Sequence, residues 1–220
     1  FSKKILNNFI KRLKKNGSKF SYRKVKNKSK KVYEANITVF DALKKSDYDS
    51  KGKFFLERYV SAHSIMISFE GIPAVYFNSL FGKSNDESKY IITGNNRDIN
   101  RYKWNYENIK KKLNNKNSKQ SIFYQNLGKL LEIKRKQKAF HPNAKRLNIN
   151  LGSKIFCYER ISLDKKQTII CITNLSTKLQ YIKINKNLIK YRDLLGRKIF
   201  FTLDKKIKLD PCQTIWLSNR

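Results

Sequence analysis

The stretch "RYVSAHSIMISFEGIPAVYFNSLFG", Arg58–Gly82, decides the fold class. Its first half continues an apolar face of Phe54, Phe55, Tyr59, Val60, Ala62, His63, Ile65, Met66 and Phe69 at helical spacing. Asp49 or Ser50 is placed to cap that helix, and Gly71 ends it. Its second half, "IPAVYFNSLFG" (Ile72–Gly82), is short and almost wholly apolar, the pattern of a strand buried on both faces in a parallel sheet. A helix, a two-residue turn and a buried strand make one step of an α/β fold.

Upstream, "KILNNFIKRLKK" (Lys4–Lys15) sets Ile5, Phe9, Ile10 and Leu13 on one stripe opposite lysines, and Gly17 stops it. A basic amphipathic helix can lie on a membrane, but one this short with a narrow stripe more often docks on its own protein. The polar stretch to Lys31 reads as a loop or a small hairpin around "KFSYRKV", and "VYEANITVFDAL" (Val32–Leu43) begins extended. Downstream of Gly82 a loop runs to Ser118, and loops of that length inside compact domains usually carry function. Residues 119–139 form a helix with Ile122, Phe123, Leu127, Leu130, Leu131 and Ile133 inside, broken by "FHPNA". From Arg146 the runs "LNINLGSKIFCYERIS", "QTIICITNLS", "QYIKIN", "YRDLLGRKIF" and "IKLDPCQTIWL" alternate between turn residues, which predicts an antiparallel β-sandwich. The order is α/β first, then β.

Fifty Lys and Arg against 16 Asp and Glu give a formal charge of +34, which raises nucleic acid or an anionic surface as a partner. The basic residues are lysine by 39 to 11, and arginine is the residue suited to bidentate phosphate and base contacts. The lysine surplus accompanies surpluses of Asn, Ile, Tyr and Phe, all with A/T-rich codons, so it reads mainly as a solvated surface rather than a nucleic-acid face. Cys157, Cys171 and Cys212 have no C-x-x-C spacing and sit in apolar sequence, as buried free thiols of a reducing cytoplasm do. No apolar run reaches membrane-spanning length and no signal-peptide pattern opens the chain. The chain starts at Phe1 rather than Met, which suggests a piece of a longer protein.

Five words in order carry a resemblance: "YEANITVFDAL" (33–43), the Arg58–Gly82 stretch, "SNDESKYIITGNNRDINR" (84–101), "AFHPNA" (139–144) and "LDPCQTIWL" (209–217). Together they resemble the end of an α-amylase-type enzyme of glycoside hydrolase family 13, in the sucrose phosphorylase and glucosylglycerate phosphorylase branch. The resemblance implies the C-terminal part of a (β/α)₈ TIM barrel followed by a small antiparallel β domain. Residues 1–48 would be the excursion after strand 7 with its acceptor loop. Residues 49–142 would hold helix 7, strand 8 (Ile72–Phe81), a substrate loop and helix 8, and residues 143–220 the β domain. Active sites of such barrels sit on the loops that follow the strands.

The resemblance implies a retaining enzyme that transfers glucose from an α-glucoside to inorganic phosphate, giving glucose 1-phosphate, with no metal or organic cofactor. Its catalytic carboxylates lie on strands 4, 5 and 7 and would all precede Phe1, so no catalytic residue falls in this chain and the chain alone is expected to be inactive. Asp41, Asp86 and Asp98 are candidates for binding or loop structure only. Within "TGNNRDINR", Arg97 would hold the glucosyl group, since a planar fork of donors suits vicinal hydroxyls. The plainer reading is a loop-stapling salt bridge with Asp98 or Glu87. Arg101 would support the loop through Asp98, and Gly94 with the Asn pair would allow the turn that presents Arg97. Tyr33 would stack on or bond the acceptor and Glu34 would accept from its hydroxyls. Sucrose-specific members tend toward Gln where this chain has Glu34, which puts sucrose in doubt. Arg23, Lys24 and Lys26 are at hand to offset Glu34 beside an anionic acceptor, or belong to the lysine surplus.

His63 reads as a packing residue, His141 as a helix terminator and Trp216 as core, and two isolated histidines make no metal site. Two rival readings stay open: a basic binding protein without catalysis, and a relic pseudoenzyme that keeps some carbohydrate binding. A parallel strand without its neighbours invites aggregation, so the first 140 residues are expected to need the rest of a barrel, whereas the β domain can fold alone.

Overall fold

The computed structural model describes residues 2–25, 28–184, 187–188, 190–196 and 206–220. They fall into two compact units, Phe1–Phe55 with Val75–Gln125, and Leu56–Ala74 with Asn126–Arg220.

The first unit opens with helix α1 (Lys3–Lys15), capped by Ser2, whose hydroxyl accepts the Ile5 N–H at 3.3 Å. Gly17, at φ +90°, supplies the left-handed turn after it. Leu13 is buried and Ile10 half-buried, but Ile5, Leu6 and Phe9 are exposed, so the stripe docks only at its C-terminal end. The "KFSYRKV" stretch is the hairpin of the two offered readings: β1 (Lys19–Val25) pairs antiparallel with β2 (Lys28–Asn36). Thr38 caps α2 (Val39–Lys44) through the Asp41 N–H. The Asn85 side chain accepts the Thr38 N–H at 2.9 Å and donates to the Gly17 carbonyl at 3.4 Å, tying the ends of α1 and the hairpin to one point.

The strand expected over Ile72–Phe81 is absent. Residues 72–76 have no ladder partner, and Phe77–Leu80 turn into the short helix α4. Every sheet pairing among the described residues is antiparallel. A parallel strand exists only through its neighbours' hydrogen bonds, and without one Ile72 stays 86 % exposed. The expected 82–118 loop is also corrected: it holds α5 (Glu87–Thr93), a 3₁₀ turn (Asn96–Asn100) and α6 (Tyr106–Asn114). Asp86 and Asn105 cap the two α-helices by accepting the N–H groups of Lys89 and Asn108. α5 buries no residue and α6 only Ile109, so neither shows an apolar period. At the start of the segment, Gly82 (φ +54°) leaves no room for a side chain, since a Cβ there would lie 2.7 Å from the Phe123 ring.

Of the two proposed caps for the central helix, Asp49 serves: its carboxylate accepts the N–H groups of Lys53 and Phe54 just ahead of α3 (Phe55–Ser68). The last long helix, α7, spans Lys119–Arg135 and stops short of 139; a 3₁₀ turn at Lys138–Phe140 leads into "HPNA".

The second unit is built on the antiparallel strands β3 (Lys145–Asn150), β4 (Ile155–Ile161), β5 (Thr168–Asn174), β7 (Arg192–Asp193) and β9 (Thr214–Ser218), ordered β3-β4-β5-β9-β7. β6 (Gln180–Ile182) pairs with β8 (Ile207–Leu209) in a second sheet. Ile155, Cys157, Ile170, Ile172, Ile215 and Leu217 share one core with Ile182, Ile207 and Leu209 of that sheet, as the alternating runs predict. Asn185 of "QYIKIN" and residues 197–200 of "YRDLLGRKIF" lie outside the described residues. Against the larger sheet α3 presents small hydroxyls. Ser61 bonds the Cys212 carbonyl and Thr214, and Ser68 meets the Tyr158 hydroxyl at 2.6 Å. All three cysteines are free and buried.

Candidate functional site

Arg97 is delivered by a turn fastened on three sides. Gly94, in the left-handed conformation at φ +64°, closes α5 by donating its N–H to Tyr90. Asn95 then accepts the Arg97 N–H on its side-chain oxygen at 3.1 Å. Asn96 reaches sideways to β1, donating to the Phe20 carbonyl at 3.1 Å. Below, Ile99 is fully buried and its carbonyl accepts the Asp86 N–H at 2.7 Å. The turn presents the Arg97 guanidinium to Glu34 of β2, with Nε 3.0 Å from Oε2. Two segments 63 residues apart thus converge on one half-exposed pair.

Arg97 therefore pairs with neither Asp98 nor Glu87, as the loop-stapling reading required. Asp98 takes Lys89 at 3.5 Å, and Glu87 takes Lys19 at 3.3 Å. Arg101 does not reach the Asp98 carboxylate; its backbone N–H donates to the Asp98 carbonyl and its side chain is exposed. An ion pair as open to water as Arg97–Glu34 contributes about 0–1 kcal/mol, so a ligand that offers the guanidinium better partners can take it over.

Tyr33 sits where the hairpin register slips. Ser21 pairs with Glu34 and Tyr22 with Val32, which leaves Tyr33 as the extra residue of a β-bulge. Its ring is exposed. Arg23 and Lys24 are exposed on β1, and Lys26 lies outside the described residues. The remaining candidate carboxylates are spoken for: Asp41 accepts from Thr38 and the Asn85 N–H, and Asp86 caps α5.

An aromatic group near this turn went unassigned in the sequence. Trp104 donates its indole N–H to Asn78 at 2.8 Å, and Asn78 donates to the Tyr102 carbonyl. The Tyr76 hydroxyl bonds the Asn100 carbonyl at the end of the Arg97 turn, leaving its ring half open to solvent. Lys83 lies 4.1 Å above the Tyr102 ring. The aromatics that close the "TGNNRDINRYKW" stretch were the available signal.

His63 is buried with Nδ1 2.9 Å from the Tyr59 carbonyl, and burial lowers its pKa. His141 accepts the Asn143 N–H after the last 3₁₀ turn, and Trp216 is fully buried edge-on to Phe140. Among the described residues no cluster of three or more His, Cys, Asp or Glu side chains can hold a metal, and no helix is long and apolar enough to cross a membrane.

No family model matches the chain. It is 30 % identical over 192 residues to a glucosylglycerate phosphorylase of Escherichia coli K12, a match that covers 84 % of this chain and 32 % of that protein. A glucosylglycerate phosphorylase of Allomeiothermus silvanus is 31 % identical over 186 residues, with 84 % and 31 % covered. A sucrose phosphorylase of Agrobacterium vitis is 38 % identical over 71 residues, 32 % of this chain and 13 % of that protein. Among solved structures, the sucrose 6F-phosphate phosphorylase of Thermoanaerobacter thermosaccharolyticum superposes with a TM-score of 0.65 at 20 % identity, covering 95 % of this chain and 36 % of that one. At that identity the likeness speaks to the fold. The chain spans about a third of the length of the phosphorylases it matches over most of its own, 32 % and 31 %.

Proposed function

We propose that this chain, a homologue of the glucosylglycerate and sucrose phosphorylases, forms the last part of a retaining glucosyl phosphorylase of the α-amylase family. The whole enzyme moves glucose from an α-glucoside to phosphate. A carboxylate displaces the leaving group to form a glucosyl ester, and a phosphate oxygen then attacks the same carbon with a second inversion, so the product is α-glucose 1-phosphate. Both carboxylates of that chemistry lie outside this chain, which is inactive alone, and the reaction needs no metal or organic cofactor. Residues 1–48 carry the acceptor side, residues 49–142 the glucosyl side, and residues 143–220 the supporting β domain of a cytoplasmic enzyme.

The observation that carries this reading is the convergence of Arg97 and Glu34 from two distant segments. Arg97 grips the hydroxyls of the bound glucosyl group, and Glu34 aims its fork and accepts from the acceptor. Tyr33, turned out by its bulge, supplies a ring for the acceptor to pack on. Asp98 and Arg101 hold the turn that presents Arg97.

The test begins with the coding DNA upstream of Phe1. The reading expects a continuous frame with the earlier barrel strands and their three carboxylates; a start codon close upstream with no barrel overturns it. In the enzyme so defined, Arg97→Ala is expected to lower kcat/KM for phosphorolysis by about 10- to 100-fold, the worth of a charged hydrogen bond. An unchanged kcat/KM would remove Arg97 from the site.

A further inference from the structure

The second unit contains a cleft of about 600 Å³ between the end of α7 and the β4–β5 turn, remote in sequence from Arg97 and unused by the reading above. Its size falls within the range of about 300–1,000 Å³ seen for small-ligand sites. Lys134, Arg135, Lys136 and Lys138 line it with His141, against a single carboxylate, Asp164. The acids near it are already engaged. Lys136 pairs with Glu132 at 2.7 Å and Lys138 with Asp164 at 3.3 Å. Asp164 also accepts from the Ser162 hydroxyl and the Lys166 N–H, bonds that hold its carboxyl ionised. Lys134 and Arg135 form no ion pair among the described residues.

Behind the wall stands a buried cation that Glu70 offsets only from beyond ion-pair distance. Arg160 is fully buried, and its guanidinium donates to the carbonyls of Ser68, His141 and Ala144, with no carboxylate at ion-pair distance among the described residues. Its bond to the His141 carbonyl, at 2.7 Å, sets it against a residue of the cleft. Half-buried Lys134 feels this: burial lowers its pKa, and the positive charge of Arg160 lowers it further. The negative end of the α7 dipole offsets some of this charge, as at any helix C-terminus, but it is a partial charge against several full ones. Half-buried Lys134, without an ion-pair partner among the described residues and beside the buried Arg160, contributes most to a positive potential that an anion relieves.

We propose that this cleft binds the phosphoryl group of a small phosphate or sugar phosphate, with Lys134 and Arg135 as its principal contacts and Lys138 exchanging Asp164 for the ligand. Arginine supplies a fork for two phosphate oxygens and lysine a movable point charge. The proposal stands on the second unit alone and does not require the chain to serve a phosphorylase.

The test is calorimetric titration of the full chain with inorganic phosphate and with glucose 1-phosphate, at ionic strength held constant with chloride. Saturable binding is expected for at least one of them. The Lys134→Gln/Arg135→Gln variant should bind at least about tenfold more weakly. Lys134→Arg, which keeps the charge, should retain binding. Thermal melts of each variant without ligand check that the fold persists. Absence of saturation, or an affinity unaltered in the double variant, overturns the proposal. So does a single-stranded oligonucleotide that outcompetes both phosphates with an affinity collapsing as salt rises, since that marks a general polyanion surface. Binding lost only with Arg97→Ala would move the phosphate to the first unit.

Discussion

The two units solve the problem of backbone hydrogen bonding in opposite ways. In the second, antiparallel strands complete each other's ladders, β3, β4 and β5 in sequence order and β9 inserted between β5 and β7 from the end of the chain, and residues from both sheets close over one core. In the first, much of the chain from Val75 to Asn114 is held by caps and side-chain amides: Asn78, Asn85 and Asn96 each bond backbone groups of another turn or strand, and Asn95 caps its own turn. Antiparallel neighbours can be joined by a short turn, as β3, β4 and β5 are, whereas parallel strands need a crossover of about a dozen or more residues between them. The first unit has helices where its own caps suffice, and residues 75–76 are open chain without a ladder partner.

The sharpest way to break this contrast is to remove one large side chain from each unit. Trp216→Ala should cost about 3–5 kcal/mol, because the indole is fully enclosed against Phe140. Ile92→Ala, at a side chain 84 % exposed, should change stability by less than about 0.5 kcal/mol. Urea denaturation followed by tryptophan-independent circular dichroism measures both. Equal costs would mean that Ile92 makes packing contacts that its exposure does not reveal.

Two glycines sharpen the comparison inside the first unit. Gly82→Ala should cost about 1–3 kcal/mol by overpacking, as the new methyl meets the Phe123 ring. Gly94→Ala meets nothing within 4 Å and carries only the left-handed strain, about 1 kcal/mol. The same urea melts rank the pair, and a reversed order would show that the Phe123 ring yields.

The smallest effect is titration of the second unit through His63. Burial lowers its pKa from the usual 6.5, so the unfolded chain binds its proton more readily than the folded one. The stability from neutral His63 is complete above about pH 6.5 and is lost as pH falls through the lower folded value, by at most about 1.4 kcal/mol per pH unit. His63→Gln should flatten the stability profile across that window; a slope that persists in the variant assigns the titration to another group.

What was legible in the sequence follows the same division. The strands of the second unit show in "QTIICITNLS" and "QTIWL" because the β5–β9 pairing buries their apolar residues. The three thiols, His63 and Trp216 were legible because each stands among apolar neighbours in sequence and is buried in the fold. α5 and α6 were not, since one buried isoleucine sets no period and Asp86 and Asn105 look like ordinary loop residues. "IPAVYF" misled because its apolar run has the composition of a buried strand, while residues 72–76 have no ladder partner. At the candidate site Arg97 and Glu34 were each visible, but their meeting was not: it depends on the hairpin register and on a bulge at Tyr33. No local pattern encodes the position of such a bulge.

The buried cysteines have one more consequence. Burial pushes the thiols of Cys157 and Cys171 up to about 12, so in the closed fold they are almost wholly protonated and shielded from alkylating reagents. Each becomes an ordinary, reactive thiol only in the instants when β4 or β5 comes away from its neighbours. The rate at which they are alkylated therefore counts the openings of the sheet, so the second unit carries its own clock for local unfolding, with no label to be added.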